Sequence, residues 1–223
     1  MRLTSRGITL RQVTEDDVPF LFELFVDPSR SHLWMCGRTV HDERSFHEAW
    51  IGWSTTLMGA KFIVEAAGRP IGLVFDYERA VIDGFTKVTA LLHEESVGQG
   101  AGAIATGLLV DWLFQHLPLR KVYMETYGYN GPVVPTLRRA GLVEEGVLRG
   151  VRFWNEQYWD VHIFAVGRQA WPDIRRRFLR TPTEEHAVRV PRNGRPVRVI
   201  SQAVAMSPTC IAEQESQLAA SSA

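Results

Sequence analysis

The stretch of sequence best suited to chemistry is glycine-rich, Val97-Gly-Gln-Gly-Ala-Gly-Ala103, and lies between a predicted strand and an apolar predicted helix. Its small residues leave the backbone bare, so successive N–H groups can point at an anion. The dipole of the following helix adds about half a positive charge at the same place. A phosphate or pyrophosphate can therefore bind here without a lysine. The residues of this cradle are Gly98, Gln99, Gly100, Ala101, Gly102 and Ala103.

Two common nucleotide-binding motifs fit this segment poorly. Gly98-x-Gly100-x-x-Ala103 formally matches the Rossmann fingerprint, but that unit opens a doubly wound sheet, and too few β-α units follow here. A P-loop would end in Gly-Lys-Ser/Thr, which Gly102-Ala103-Ile104 does not supply. The segment therefore indicates an anion site in a different fold.

The elements that must position this segment predict an α/β (α+β) fold. Thr14 and the three acids after it favour the start of a helix. Periodicity predicts this helix and three more, at 42–58, 102–116 and 131–140. Strands are predicted at 8–13, 61–66, 71–77, 84–93, 121–126, 142–148 and 157–166. This order gives a mixed, mostly antiparallel central sheet with helices on both faces.

The composition is that of an ordinary folded domain. The 223 residues carry 25 Lys and Arg against 25 Asp and Glu, which argues against nucleic acid or an anionic membrane as partner. Cys36 and Cys210 form no CxxC pair and no zinc-ligand spacing, which fits a reducing compartment without a metal site. Residues 1–10 lack the apolar core of a signal peptide, and the uncharged stretch 96–110 is shorter than the ~20 residues of a membrane helix. We expect a cytoplasmic protein.

The C-terminal part differs in composition from the rest. Between Arg168 and Arg198 there are nine arginines against three acids, a local net charge of +6. Asn193-Gly194 favours the tight turn of a small β-hairpin, and residues 201–223 are typical of a loose tail. The arginines fit either a solvated surface or a docking site for an anionic partner. We therefore divide the chain into a domain at 1–171 and an arginine-rich extension at 172–223.

Five motifs in order give the chain a resemblance to a known family. They are the opening strand with Thr14-Glu-Asp-Asp17, the glycine loop with its helix ending Asp111-Trp-Leu-Phe114, Val122-Tyr-Met-Glu-Thr-Tyr-Gly-Tyr-Asn130, Gly141-Leu-Val-Glu-Glu-Gly-Val-Leu-Arg149 and Gln157-Tyr-Trp-Asp160. Over about Gly7 to Trp171 the sequence resembles the GNAT superfamily of acetyl-CoA-dependent N-acyltransferases. It is most similar to the RimJ and RimL branch, which acetylates the N-termini of ribosomal proteins.

The resemblance implies a sheet splayed at its middle strands, with acetyl-CoA or another acyl-CoA as donor. The glycine cradle would hold the pyrophosphate, and Asn130 would bond the pantetheine arm from the far side. Three residues would border that arm: Leu91, Leu92 and His93. Three tryptophans would wall the acceptor pocket: Trp34, Trp50 and Trp53.

The residues that relatives use for proton transfer are replaced here. Val97 stands where the family loop usually begins with Gln or Arg. Val133 and Leu137 stand in place of the serine or tyrosine that protonates the thiolate, and Arg152 stands in place of a glutamate base. The remaining candidates are Glu125 as a base, Tyr127 as an acid on the same strand face, and His93, which closes the strand before the loop, as a proton acceptor. The alternative for Glu125 and Tyr127, which the sequence favours, is that of ordinary solvated or hydrogen-bonded sheet residues, and for His93 it is that of an ordinary loop histidine.

The sequence thus predicts transfer of an acetyl or related acyl group from a coenzyme A thioester to a primary amine of a small molecule or peptide. Two alternatives stay open. The donor acyl group could be bound to an acyl carrier protein that docks on the arginine-rich segment, or the fold could serve as a catalytically silent binding module. The sequence leaves open the acceptor amine and whether the protein forms a homodimer.

Overall fold

The structure is a computed structural model that describes residues 1–34, 42–55 and 59–179, with the backbone alone for 51–55. The strands are β1 (Arg2–Ser5), β2 (Ile8–Gln12), β3 (Lys61–Ala66), β4 (Arg69–Ala80), β5 (Phe85–Leu92), β6 (Lys121–Tyr127), β7 (Val143–Trp154) and β8 (Gln157–Gly167). The helices are α1 (Val18–Val26), α2 (Glu43–Thr55), α3 (Ala101–His116), α4 (Val133–Ala140) and α5 (Trp171–Phe178). Short 3-10 turns at Glu15–Asp17, Ser31–Leu33 and Glu94–Ser96 precede or join them.

The strands form one sheet in the order β1-β2-β3-β4-β5-β6-β8-β7. Its hairpins follow from local turn chemistry, because Arg6-Gly7, Ala67-Gly68 and Asn155-Glu156 each place two consecutive residues at positive φ. That is the requirement of the two-residue turns that match strand twist. Among the described strands, β5 and β6 alone pair in parallel. The predicted α+β class with a mostly antiparallel sheet is confirmed.

Each face of the sheet carries its own apolar core. On one face α3, α4 and α5 pack over the even-numbered residues of β5, including Val88 and Leu92. On the other face α1, the turn after it and α2 pack over Leu91 and Phe75. Helix α3 is the most enclosed, since it lies between the sheet and α5. Alternation along β5 therefore sends neighbouring leucines into two different cores.

The chain differs from the sequence-based expectation at both ends. Arg2–Ser5 adds an edge strand that was not predicted, and Trp171–Phe178 forms a helix where the arginine-rich extension was expected to begin. Helix α5 is held on α3 through Asp111, which accepts hydrogen bonds from Trp171 (3.0 Å) and Arg175 (2.7 and 3.0 Å). The packed body thus reaches Leu179, beyond residue 171. The predicted hairpin at Asn193-Gly194 lies outside the described residues, as do both cysteines.

No helix in the described ranges is long and apolar enough to cross a membrane. Those ranges also contain no group of three His, Cys, Asp or Glu side chains placed to hold a metal ion.

Candidate active site

The site is built around a gap between β5 and β6. Their parallel pairing covers Phe85 with Lys121, Thr86 with Val122 and Lys87 with Tyr123, and continues no further within the described strands. Beyond Lys87 the two strands diverge, so backbone groups along both inner edges lack a partner in the sheet. Such groups need hydrogen bonds from elsewhere, because unpaired backbone is costly when buried. An extended ligand with amide groups can supply them.

The glycine loop lies at the wide end of this gap and begins α3. Gly98 and Gly100 have φ of +86° and +80°, and Gly100 is the residue that caps the helix. The N–H of Ile104 donates to the Gly100 carbonyl at 3.0 Å, so the helical ladder starts there. The N–H groups of Ala101, Gly102 and Ala103 precede that ladder and have no intrahelical acceptor. The predicted cradle is therefore a set of bare amides at a helix N-terminus.

A narrow apolar cleft of about 30 Å³ continues from the cradle between α3 and α4. It is lined by Ala90, Gly102, Ala103, Thr106, Met124, Val133, Thr136, Leu137 and Phe178. The cleft contains residues of both diverging strands, so it opens into the gap. The gap has unpaired strand edges along its sides and bare amides at its mouth. These features match the amide-bearing pantetheine arm and the pyrophosphate of coenzyme A.

The predicted donor-site residues occupy different parts of this gap. Leu91 and Leu92 are both buried, but on opposite faces of the sheet. His93 directly follows β5 and is half-buried, with its ring 5.3 Å from that of Phe20 on α1. Asn130 is buried in the loop between β6 and α4, where its N–H donates to the Tyr127 carbonyl at 2.9 Å. The gap is thus bordered by His93 on one side and Asn130 on the other.

The candidate base Glu125 is already engaged in an ion pair. Its carboxylate lies 2.8 Å from the ammonium of Lys87, which also lies 2.5 Å from Glu78. Burial disfavours the charge of Lys87, but its hydrogen bonds to Glu125 and Glu78 outweigh this and raise its pKa. A proton taken up by Glu125 would remove one of the two carboxylates that neutralise a buried lysine. The geometry therefore favours a structural role for Glu125.

The candidate acid Tyr127 belongs to an aromatic cluster on the α1 side of the sheet. Its ring stacks on Tyr129 at 5.1 Å, and the Arg152 guanidinium lies 5.1 Å from the Tyr127 ring centroid. The Tyr129 hydroxyl donates to the backbone carbonyl of His32 at 2.9 Å. The His32 ring in turn stacks on Trp154 at 4.4 Å with an angle of 12° between the planes. The cluster joins β6, the β7–β8 hairpin and the loop after α1.

Sequence reasoning missed three members of this surface: Arg30, His32 and Tyr129. Burial lowers the pKa of His32, and the positive charges of Arg30 and Arg152 lower it further. The His32 imidazole is thus neutral at neutral pH, and the positive charges of two guanidinium groups disfavour its protonation. The local sequence around His32 does not indicate this environment, because Tyr129, Arg152 and Trp154 come from elements more than 90 residues away.

The three predicted pocket tryptophans contribute differently. Trp34 is buried in the core beneath α1, and its indole N–H donates to the Phe25 carbonyl at 3.3 Å. Trp50 is buried against Phe25 and Phe46. Trp53 is in α2, in the part whose side chains lie outside the described residues. Trp34 and Trp50 are therefore core residues that pack behind the expected acceptor pocket.

A sheet splayed beside a helix N-terminus with bare amides defines an acyltransferase of the coenzyme A-dependent type. Residues 8–143, more than half of the chain, match the family described as Acetyltransferase (GNAT) domain, and the protein belongs to this family. Its acyl donor is accordingly acetyl-CoA, and it is an N-acyltransferase. A comparison with curated proteins returned no match.

Solved structures share the fold. The spermidine N-acetyltransferase from Vibrio cholerae in complex with CoA and spermine aligns with a TM-score of 0.67 and 24% identity, over 74% of this chain and 98% of that one. Mutant forms of the spermidine/spermine N-acetyltransferase SpeG from the same organism align with a TM-score of 0.65 and 22% identity, over 75% of this chain and 97% of that one. At these identities the likeness establishes the splayed-sheet architecture alone.

Proposed function

We propose that this protein transfers an acetyl group from acetyl-CoA to the primary amine of a small molecule or peptide. The observation that carries the proposal is the gap that opens past Lys87 and Tyr123 and ends at the bare amides of α3. The polyamine acceptors named for the similar structures and the protein N-termini acetylated by the RimJ and RimL branch both carry such an amine.

The donor, when bound, supplies an acyl carbon activated as a thioester. The α3 N-terminus would hold the diphosphate, and the free edges of β5 and β6 would bind the arm. The amine nitrogen then bonds to the acyl carbon while the carbon–sulfur bond breaks. One proton must leave the nitrogen and one must reach the departing sulfur. His93 and Tyr127 border the gap from the ends of the two strands, and we assign these proton transfers to them.

A carrier-bound donor has less support from the geometry. Of the arginines considered for docking, Arg175 is paired with Asp111 at 2.7 Å and Arg176 with Asp173 at 2.5 Å. Side chains that are already neutralised within the protein attract an acidic partner weakly. Free acetyl-CoA remains the donor that the site fits better.

The proposal is tested by comparing two glycine variants with the same local geometry. Gly100 and Gly68 have φ of +80° and +74°, and a Cβ at either position would meet no atom within 4 Å. Gly100→Glu and Gly68→Glu therefore introduce the same charge and the same backbone strain, but one lies in the cradle and the other in the β3–β4 turn. Calorimetric titration with coenzyme A should show binding by the wild type and Gly68→Glu, and none by Gly100→Glu.

Turnover completes the test. The wild type should release free thiol from acetyl-CoA in the presence of a panel of primary amines, and Gly100→Glu should not. Absence of coenzyme A binding by the wild type would refute the donor site. Binding without turnover on any amine would instead indicate the catalytically silent module.

A further inference from the structure

One buried charge in the acceptor region has no use in the chemistry described so far. Arg30 follows α1 and is only 3% exposed. Its Nε and Nη2 atoms are buried, and neither has a hydrogen-bond partner among the described residues. A guanidinium is always charged and carries five donors, so proteins rarely bury it unpaired. Such an unpaired buried guanidinium is a candidate anion-binding group.

The carboxylates near Arg30 do not fill this role. Asp27 and Glu94 are close enough to stabilise its charge, yet burial dominates and lowers the pKa of Arg30. Neither carboxylate accepts a bond from Nε or Nη2. The Asp27 carboxylate instead accepts hydrogen bonds from the N–H and hydroxyl of Ser29, at 2.9 and 2.7 Å. The guanidinium carbon (Cζ) of Arg30 lies 5.8 Å from the centroid of the Trp34 ring.

The free donors point to a particular shape of anion. Nε–H and one Nη2–H lie side by side on a single edge of the planar guanidinium. Two parallel donors of this kind match the two oxygens of a carboxylate in a bidentate pair.

The position of Arg30 places this edge in the acceptor region. Glu94 begins the turn that leads into the glycine loop, and His32 belongs to the aromatic cluster around Tyr129 and Trp154. Arg30 interacts electrostatically with both. The charge of Arg152, on the β7–β8 hairpin, also acts on His32, so the positive charges of two guanidinium groups reach the same imidazole. A cationic acceptor group would meet repulsion from these two guanidinium groups.

We propose that the Nε–Nη2 edge of Arg30 binds a carboxylate of the acceptor, with Arg152 adding positive potential, so that this enzyme acetylates amines that carry a carboxylate rather than polyamines. This inference rests on the proposed amine acetylation. It predicts amino acids, ω-amino acids and short peptides with a free C-terminus as the acceptor class. The structural neighbours named for spermidine would then share the fold but differ in acceptor charge.

The experiment compares kcat/KM for matched amines that differ only in the anionic group. The panel contains dipeptides and ω-amino acids, each paired with its carboxamide, together with 3-aminopropylphosphonate and spermidine. We expect the wild type to prefer carboxylates over carboxamides by about tenfold or more, as a charge-assisted bidentate pair contributes. A higher kcat/KM for the phosphonate than for the carboxylates would overturn the choice of carboxylate as the bound anion. Equal kcat/KM for acids and carboxamides, or a preference for spermidine, would overturn the proposal as a whole.

Two variants assign that preference to Arg30. Arg30→Met should abolish the acid-over-amide ratio, and Arg30→Lys should restore only part of it, because lysine keeps the charge without the paired donors. Arg44→Met serves as the control, since Arg44 is 89% exposed in its side chain on α2 and should leave the ratio unchanged. An unchanged ratio in Arg30→Met would contradict the assignment.

Stability provides a readout that does not depend on the acceptor. Removing an unpaired buried charge should raise the Tm of Arg30→Met by about 2–4 °C in the absence of ligand. A fall in Tm would show that Arg30 serves the fold instead. Titration of Arg30→Met with coenzyme A separates this inference from the proposed acetyl transfer. If the variant binds coenzyme A normally but loses its preference for carboxylates, only acceptor recognition depends on Arg30, and the proposed function is unaffected.

Discussion

The ammonium of Lys87 lies 2.8 Å from the carboxylate of Glu125 at the point where β5 and β6 stop pairing. Both side chains are largely buried, at 15% and 8% exposure. Glu78 approaches the same ammonium at 2.5 Å. This three-residue ion cluster joins side chains of β4, β5 and β6 at the narrow end of the gap.

Loss of Lys87 should therefore destabilise the fold far more than loss of either carboxylate. Lys87→Met leaves Glu78 and Glu125 buried without a counter-charge, and we expect it to lower the free energy of unfolding by about 3 kcal/mol. Glu125→Gln leaves Lys87 paired with Glu78, so about 1 kcal/mol is expected. Urea unfolding measures both.

The exposed pair between Arg44 and Glu48 on α2 is the control for this prediction. These side chains are 89% and 67% exposed, and removal of either charge should change stability by less than about 1 kcal/mol. Kinetics decide the role of Glu125. A general base contributes about 10²–10⁴-fold to the rate, so a kcat within about tenfold of the wild type in Glu125→Gln supports the structural role, and a larger loss would restore it as the base.

The contact between α3 and α5 leads to a second prediction. A Cβ at Gly107 would lie 2.7 Å from the Cβ of Phe178, which cannot move without a shift of α5. We expect Gly107→Ala to lower the free energy of unfolding by about 1–3 kcal/mol. Gly131→Ala is the matched control, because a Cβ there would meet no atom within 4 Å. Equal stability of the two variants in urea would show that α5 is not seated on α3 as described.

The donor half of the site could be predicted from the sequence because its signals are local. The glycine segment and the apolar helix after it are contiguous, and the positive φ of Gly98 and Gly100 is what glycine permits. Strand and helix periodicity placed β5 and α3 within a residue or two. The family resemblance added the divergence of β5 from β6, which no local pattern reveals.

The acceptor half could not be predicted because tertiary contacts assemble it. Arg30 and His32 come from the loop after α1, where no periodic or motif signal marks them. Arg152 comes from the β7–β8 hairpin, where the sequence indicated only that it replaces a glutamate. The role of Glu125 depends on the register that sets it beside Lys87. Helix α5 was missed because its arginines dominate its composition, although Trp171, Ile174 and Phe178 form a buried stripe at helical spacing.

Because of Lys61, the free energy of unfolding should depend on pH in the alkaline range. Burial lowers the pKa of Lys61 to about 8, although Asp76 opposes this shift. In the unfolded chain the pKa is near 10.5, so the unfolded state binds more protons between pH 8 and 10.5. The contribution of Lys61 to the free energy of unfolding should therefore rise as the pH increases through this window.

The variant Lys61→Met isolates that contribution. Urea unfolding at pH 7.5 and pH 10 (approximate ends of the window set by the two pKa values) should show the wild type gaining stability relative to Lys61→Met at the higher pH. Lys121→Met is the control, since the hydrogen bond from Lys121 to Glu145 raises its pKa above the ordinary value and leaves it charged throughout. A stability difference between wild type and Lys61→Met that stays constant with pH would contradict the burial of this ammonium.

His32 should report the positive potential of the acceptor region directly. Burial lowers the pKa of His32 below the usual 6.5, and the charges of Arg30 and Arg152 lower it further. The imidazole signals in an NMR titration should therefore have a midpoint below 6.5, and Arg152→Gln should raise that midpoint while Arg44→Gln leaves it unchanged. Because the unfolded chain binds this proton more tightly, His32 also costs the fold stability as the pH falls below 6.5. A midpoint at or above 6.5 in the wild type would mean that the charges of the two guanidinium groups do not act on the ring, and the acceptor region would lose the cationic character assigned to it.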